Sequence, residues 1–216
     1  MTAVSILLDR LEQTVSELPA VRPLVLAYSG GVDSSVLLEG LVRAGLGADE
    51  LLPVHVHHGL SPHADDWAEH CRRRAAAHGL EARVERVAVE AGSNLEARAR
   101  AARYDALLRH TPPGGVLMLA HHRDDQAETL LLRLLRGAGV RGLTAMRPLE
   151  RRNGYCLARP LLALSRETIE AAAREWELDW ITDPANTDPG PDRNFLRHRV
   201  RPLLAERWPG VDGRLA

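Results

Sequence analysis

Three short runs dominated by apolar residues, Leu24–Tyr28, Leu51–His57 and Val116–Ala120, set the strongest limit on the fold. A strand with one wet face alternates between apolar and polar residues. One that is apolar at nearly every position is buried on both faces, which occurs in parallel sheets covered by helices on either side. Each run is followed by apolar residues at helical spacing, over Asp33–Ala44, Ala64–His78 and Asp125–Arg136. A fourth segment, Ala82–Val89, alternates as a strand nearer an edge and leads into a helix over Leu95–Arg109 that Asn94 can cap. Repeated strand–helix alternation requires right-handed crossovers. The expected fold is α/β, an open, mostly parallel, doubly wound sheet of Rossmann-like type with helices on both faces.

The flanks follow other patterns. Val4, Leu7, Leu8, Leu11, Val15 and Leu18 recur at helical spacing and stop at Pro19, so residues 1–20 are expected to form an N-terminal helix. The main α/β body is expected over residues 21–190. Near its end, Arg147–Leu157 reads as a hairpin turning at Asn153-Gly154, a pair suited to a type I′ turn. Ser165 is placed to cap a helix running towards Glu177, and Asp183–Asp192 reads as a loop. Residues 191–216 form a basic extension in which a helix spans Arg193–Arg207.

Composition removes several function classes. The 28 basic residues are all arginine and the net charge is −1, so bulk charge does not mark a nucleic-acid protein. Without lysine the chain has no side-chain amine for a Schiff base and no Walker-type phosphate lysine. Two cysteines, Cys71 and Cys156, cannot build a disulfide scaffold or a four-thiolate metal site. No apolar run approaches the roughly 20 residues that span a bilayer, and Met1–Arg10 lacks the pattern of a secretion signal. A cytoplasmic protein without a membrane partner is expected.

Ser29-Gly-Gly-Val-Asp-Ser34 lies where a strand hands over to a helix, at the edge where ligands bind in open α/β sheets. Gly30 and Gly31 let the backbone approach an anion, Ser29 and Ser34 add hydroxyl donors, and the helix start at Val32 adds unpaired N–H groups. Asp33 would repel phosphates unless a cation bridges them, which points to Mg²⁺; a plain helix cap is the simpler reading. After the next buried run, Asp125 and Glu128 stand three apart on a helical start and face one way, suited to a metal or an amine, or simply to a helix N-terminus. His55, His57, His58, His121 and His122, together with Asp124 and Asp125, invite a metal-hydrolase reading, but their spacing does not favour a shared ion. Arg193, Arg197, Arg199 and Arg201 crowd into nine residues without an acid, fitting either RNA phosphates or a solvated helix face.

These motifs resemble a known family. Ser-Gly-Gly-Val-Asp-Ser looks like the pyrophosphate loop of the N-type ATP pyrophosphatases, of adenine nucleotide alpha hydrolase type. His55-Val-His-His-Gly-Leu60, the segments Leu95–Tyr104, His122–Thr129 and Arg136–Leu143, Arg159-Pro-Leu-Leu162, Trp180–Asn186 and Arg193–Arg197 are similar to the tRNA(Ile)-lysidine synthetases. That resemblance implies ATP as co-substrate with Mg²⁺, adenylation at carbon 2 of the wobble cytidine of tRNA(Ile) with a CAU anticodon, and displacement of AMP by the ε-amine of free lysine. It implies lysine recognition by Asp125 and Glu128, and active-site roles for Arg103 and Arg193. By helical spacing, Arg197 and Arg201 are expected to meet the tRNA with Arg193. Family members usually carry further C-terminal domains, to which the 191–216 extension would lead. A homodimer stays open. The alternatives are a thiolase-type enzyme with the same loop, which the scarce cysteines disfavour, and a metal-dependent hydrolase.

Overall fold

The computed structural model describes residues 2–89 and 95–216. Helix α1 (Ala3–Glu17) opens the chain, with the Thr2 hydroxyl accepting the Ser5 N–H at 3.1 Å. Strand β1 (Leu24–Ala27), helix α2 (Val32–Arg43), strand β2 (Leu51–His57), helix α3 (Ala64–Ala76), strand β3 (Arg83–Arg86), helix α4 (Leu95–Arg109), strand β4 (Val116–Met118) and helix α5 (Arg123–Leu135) then alternate. A hairpin of β5 (Leu149–Arg152) and β6 (Tyr155–Ala158) precedes helix α6 (Arg166–Glu175). The six strands form one sheet in the order β3-β2-β1-β4-β6-β5, parallel except for β5. The expected mostly parallel, doubly wound sheet is therefore present.

Alternation along β1 shows why its sequence is apolar throughout. Leu24 and Leu26 join Leu37, Leu41 and Met118 on the face covered by α1, α2 and α6. Val25 and Ala27 join Val54, Leu117 and Leu107 of α4 on the other face. Successive strand residues point to opposite sides, so a central strand needs an apolar residue at every position. The hairpin turns at Asn153 and Gly154 with φ of 48° and 84°, the left-handed pair a type I′ turn demands. Ser165 caps α6 by accepting the Thr168 N–H at 3.2 Å. The expected Asn94 cap lies outside the described residues.

The C-terminal segment departs from one regular helix. α7 (Asp192–Phe195) passes into a π-helical turn (Leu196–Val200) and then α8 (Arg201–Arg207), with the Arg201 N–H bonded to the carbonyl of Leu196. A last helix, α9 (Val211–Leu215), lies against α5. No helix among the described residues is long and apolar enough to cross a membrane.

Where α1 meets α2, Gly40 leaves room for two leucines. A Cβ there would collide with Cδ1 of Leu11 and sit 3.0 Å from Cδ2 of Leu7, both fully buried. Alanine favours a helix over glycine by about 1 kcal/mol, yet overpacking a filled core costs about 1–3 kcal/mol. Gly40→Ala is expected to lower stability by about 1 kcal/mol net, read from the urea midpoint. A rise in stability would show that Leu7 and Leu11 yield freely.

Candidate active site

The segment joining β1 to α2 is a turn braced from within. Gly30 has φ +82°, a region that side-chain-bearing residues rarely adopt. A Cβ there would strike Ile181 and approach Cys71 Sγ to 2.9 Å, so glycine is required twice over. The Ser34 hydroxyl accepts the Gly30 N–H at 3.1 Å and lies 3.1 Å from the Ser29 hydroxyl. Ser35 Oγ donates to the Gly30 carbonyl at 3.2 Å. Gly31 is the N-cap of α2, so the loop is held at a helix N-terminus, where backbone N–H groups suit an anion.

Next along the sheet edge, α5 starts with a cluster of acids around one imidazole. His122 is 1 % exposed; its Nε2 lies 3.5 Å from Asp125 and 3.8 Å from Asp33, and its Nδ1 lies 3.5 Å from Asp124. Burial alone would lower its pKa, but the close contact with Asp124 and the fields of Asp125 and Asp33 carry it upward. Asp124 and Asp125 move below the usual carboxylate range against the cost of burial, each aided by His122. Asp33 goes the other way, raised by burial despite His122 and Arg166. Its Oδ1 is buried without a hydrogen-bond partner, and Asp125 lies close enough to repel it. A carboxylate oxygen without a hydrogen bond, in the field of a second carboxylate, fits a divalent cation completed by phosphate and water oxygens. No group of three metal-ligating side chains occurs among the described residues, including the histidines of β2.

Glu128 is the most enclosed acid, with its side chain 0 % exposed. Oε2 accepts from Arg193 Nε at 3.0 Å and Arg197 Nη2 at 2.9 Å. Oε1 accepts from Arg197 Nε at 2.7 Å and Arg201 Nη1 at 3.1 Å. Arg193 also donates to Thr129 Oγ1 at 2.9 Å, Arg197 to Asp125 Oδ1 at 3.3 Å, and Arg201 to Asp124 and Asp212. The three arginines do share one helix side, and they bring the C-terminal segment onto α5. Every lone-pair direction of Glu128 is thereby engaged by a guanidinium.

On the far side of the loop a cavity of 330 Å³ opens between Ser29, Gly31, Val54, Val56, Trp67, Ile181 and Arg103. Among the described residues no carboxylate pairs with Arg103, and burial with the nearby Arg100 disfavours its charge. An unpaired guanidinium beside a glycine loop is a receptor for phosphate oxygens. His55 also lines the cavity. Its Nδ1 lies 3.1 Å from the Tyr28 carbonyl, which can only accept, so Nδ1 carries the proton. Burial lowers its pKa to about 4.

The structure thus gathers Ser29, Gly30, Gly31, Val32, Asp33, Ser34, Asp125, Glu128, Arg103 and Arg193 at one sheet edge. Arg197 and Arg201, expected to face RNA, lie on the acids instead. Sequence reasoning gave Asp124 a place only in the metal-hydrolase reading and passed over Arg166; Asp124 accepts the Arg166 N–H at 2.9 Å, and Arg166 lies 3.9 Å from Asp33. Asp124 had a signal in its place beside Asp125, whereas Arg166 becomes visible only once α6 is docked.

Comparison with known proteins agrees with this geometry. A family model described as a PP-loop domain matches residues 5–204. The chain is 50 % identical over 194 residues to a tRNA(Ile)-lysidine synthase of Alkalilimnicola ehrlichii, covering 88 % of this chain and 43 % of that one. It is 49 % identical over 212 residues to one of Pseudomonas syringae pv. tomato, covering 96 % and 47 %. The chain therefore spans about half the length of the curated relatives it matches. Among solved structures, the fold is similar to the U34-tRNA thiolase NcsA of Methanococcus maripaludis, with TM-score 0.78 and 17 % identity over 99 % of this chain and 77 % of that one. It is also similar to the NH3-dependent NAD synthetase of Campylobacter jejuni, with TM-score 0.56 and 17 % identity over 99 % and 90 %.

Two outcomes test this electrostatic arrangement. Removing a buried counter-ion leaves its partners uncompensated, so Glu128→Ala is expected to cost about 3 kcal/mol of stability. A urea midpoint within error of the parent would show that Glu128 does not hold the arginines. The second concerns pH. His55 is lowered to about 4 and His121 to about 3, each first by burial, while the unfolded value is about 6.5. The unfolded chain takes up these protons first, so stability is full above about pH 6.5 and falls as pH drops towards 4. His122, being raised, opposes this but is outnumbered. Urea midpoints should be lower at pH 5 than at pH 7.5; an equal or higher midpoint at pH 5 contradicts the assignment.

Proposed function

Because this chain belongs to the PP-loop domain family, we propose that it carries the adenylating centre of a tRNA(Ile)-lysidine synthase. The observation that carries the reading is the 49–50 % identity to relatives of that name along nearly the whole chain. The reaction would be cytoplasmic and would join free lysine to the wobble cytidine of tRNA(Ile) with a CAU anticodon. Oxygen 2 of the cytosine attacks the α-phosphorus of ATP and pyrophosphate leaves. The lysine ε-amine then attacks carbon 2, a proton is lost, and AMP leaves. Adenylation is needed because a carbonyl oxygen is a poor leaving group and a phosphate ester a good one.

Each part of the site has a role under this reading. The Ser29–Ser34 loop receives the departing pyrophosphate through backbone N–H groups and two hydroxyls. Arg103 neutralises charge that grows on the phosphates, and Arg193 does so from the opposite wall. Asp33, with Asp125 beside it, would hold Mg²⁺. When bound, the ion screens the phosphates from those acids. Asp125 and Glu128 form the wall at which the lysine amine is received. Glu128 is already surrounded by guanidiniums, so an ammonium reaches it only by displacing one of them. The thiolase alternative finds little support in the cysteines. Cys71 is fully buried with its thiol pushed up to about 12 by burial, and Cys156 is 5 % exposed.

The decisive assay is incorporation of labelled lysine into a tRNA(Ile) transcript, expected only with ATP present. Absence of incorporation together with sulfur transfer would overturn the reading. Within it, Asp33→Ala is expected to reduce pyrophosphate release by roughly 10²-fold or more while the protein stays folded. Parent-like release would remove Asp33 from the reaction.

A further inference from the structure

The arginines that an RNA can use are those whose charge no described residue answers. In the C-terminal run, Arg193, Arg197 and Arg201 are each tied to carboxylates. Helix α4 presents the opposite case. Arg98 has Nε and Nη2 buried with no hydrogen-bond partner. Arg100 lies with its guanidinium 5.1 Å from the centroid of the Tyr104 ring and donates weakly to the Tyr104 hydroxyl at 3.4 Å. Arg103 reaches the cavity beside the Ser29–Ser34 loop. Among the described residues no carboxylate pairs with any of the three.

The two halves of α4 differ in a way that fits this. Tyr104, Leu107 and Leu108 pack its C-terminal half onto β1, β2 and β4. Between Leu95 and Arg103 the other residues are four alanines and one glutamate, so that half offers little for a core to bury. The helix follows β3 in a right-handed crossover, which puts its N-terminal half at the carboxyl edge of the sheet, beside the site. Arg98, at the end of the first turn of α4, opposes the helix dipole. That arrangement is unfavourable for the protein alone and becomes favourable when a polyanion lies across it.

We propose that the N-terminal half of α4 is the surface along which the RNA backbone enters the site, with the exposed Arg100 and the unburied part of the Arg98 guanidinium meeting phosphates outside the cavity. This rests on the reading of the substrate as an RNA. Arg100, beside the Tyr104 ring, also offers a guanidinium against which an unstacked base can lie.

The test measures binding of the full chain to a tRNA(Ile) anticodon stem–loop by fluorescence anisotropy across a salt series. Counterion release gives a slope of log affinity on log salt of about 0.7–0.9 per phosphate contact. The Arg98→Ala/Arg100→Ala variant should lose about 1.5 units of slope. Its affinity should fall for non-substrate hairpins as well as for the cognate one, with the melting temperature preserved. The Arg98→Lys/Arg100→Lys variant, which keeps the charge, should restore the slope. A folded alanine variant with the parent's slope overturns the proposal, as does a lysine variant as weak as the alanine one. Slope lost from Arg197→Gln but not from the α4 variant would move the RNA to the C-terminal run. Lysine incorporation by the parent protein, run in parallel, separates these results from a failure of the functional reading itself.

Discussion

Glu128 and its three guanidiniums hold the site together from underneath. A carboxylate removed from water is tolerable only when its oxygens are fully bonded and its charge is answered. Here four N–H donors from Arg193, Arg197 and Arg201 do both. The same bonds fix the C-terminal helices against α5, and Arg201 extends the network to Asp212 just inside α9. Position of the tail and charge of the active edge are thus one problem with one solution. The acid cluster tolerates Asp33, Asp124, Asp125 and Glu128 in a small volume because cations on α6 and the C-terminal segment, together with His122, stand among them.

The sheet supplies the rigid side of this arrangement. β1 is buried on both faces and continues without a break into the Ser29–Ser34 loop, so the loop inherits the order of the strand. Behind it, Cys71 and Ile181 fill the space next to Gly30. The Ile181 N–H donates to the Gly30 carbonyl at 2.9 Å, joining the segment after α6 to the loop. An anion arriving at the loop finds its donors already oriented, which is the condition for electrostatic stabilisation without reorganisation.

Much of this was legible in the sequence because it depends on local signals. The apolar runs announce β1, β2 and β4, Asn153-Gly154 announces the hairpin, and Ser165 announces α6. Gly30 and Gly31 between a strand and a helix point to an anion. Pairings across the chain carry no such signal. Glu128 and Arg197 are 69 residues apart and meet at 2.7 Å. Spacing placed Arg193, Arg197 and Arg201 on one side of a helix, but it could not say that this side faces inward to acids. Nor could it show that the Ala and Arg of α4 overhang the sheet, since helical periodicity there is nearly absent.

The π-helical turn at Leu196–Val200 has a geometrical consequence. In a regular α-helix, residues four apart drift by about 40° around the axis, so Arg193 and Arg201 would point about 80° apart. One wider turn takes up that drift and leaves all three arginines aimed at the same carboxylate. The segment works as a vernier, correcting the mismatch between a spacing of four and a turn of 3.6. Straightening it into a regular α-helix of the same length would make a better helix and a worse site. Arg201 would swing by about 80° away from Asp124 and Glu128, and the phase of the tail relative to the sheet would be lost with it.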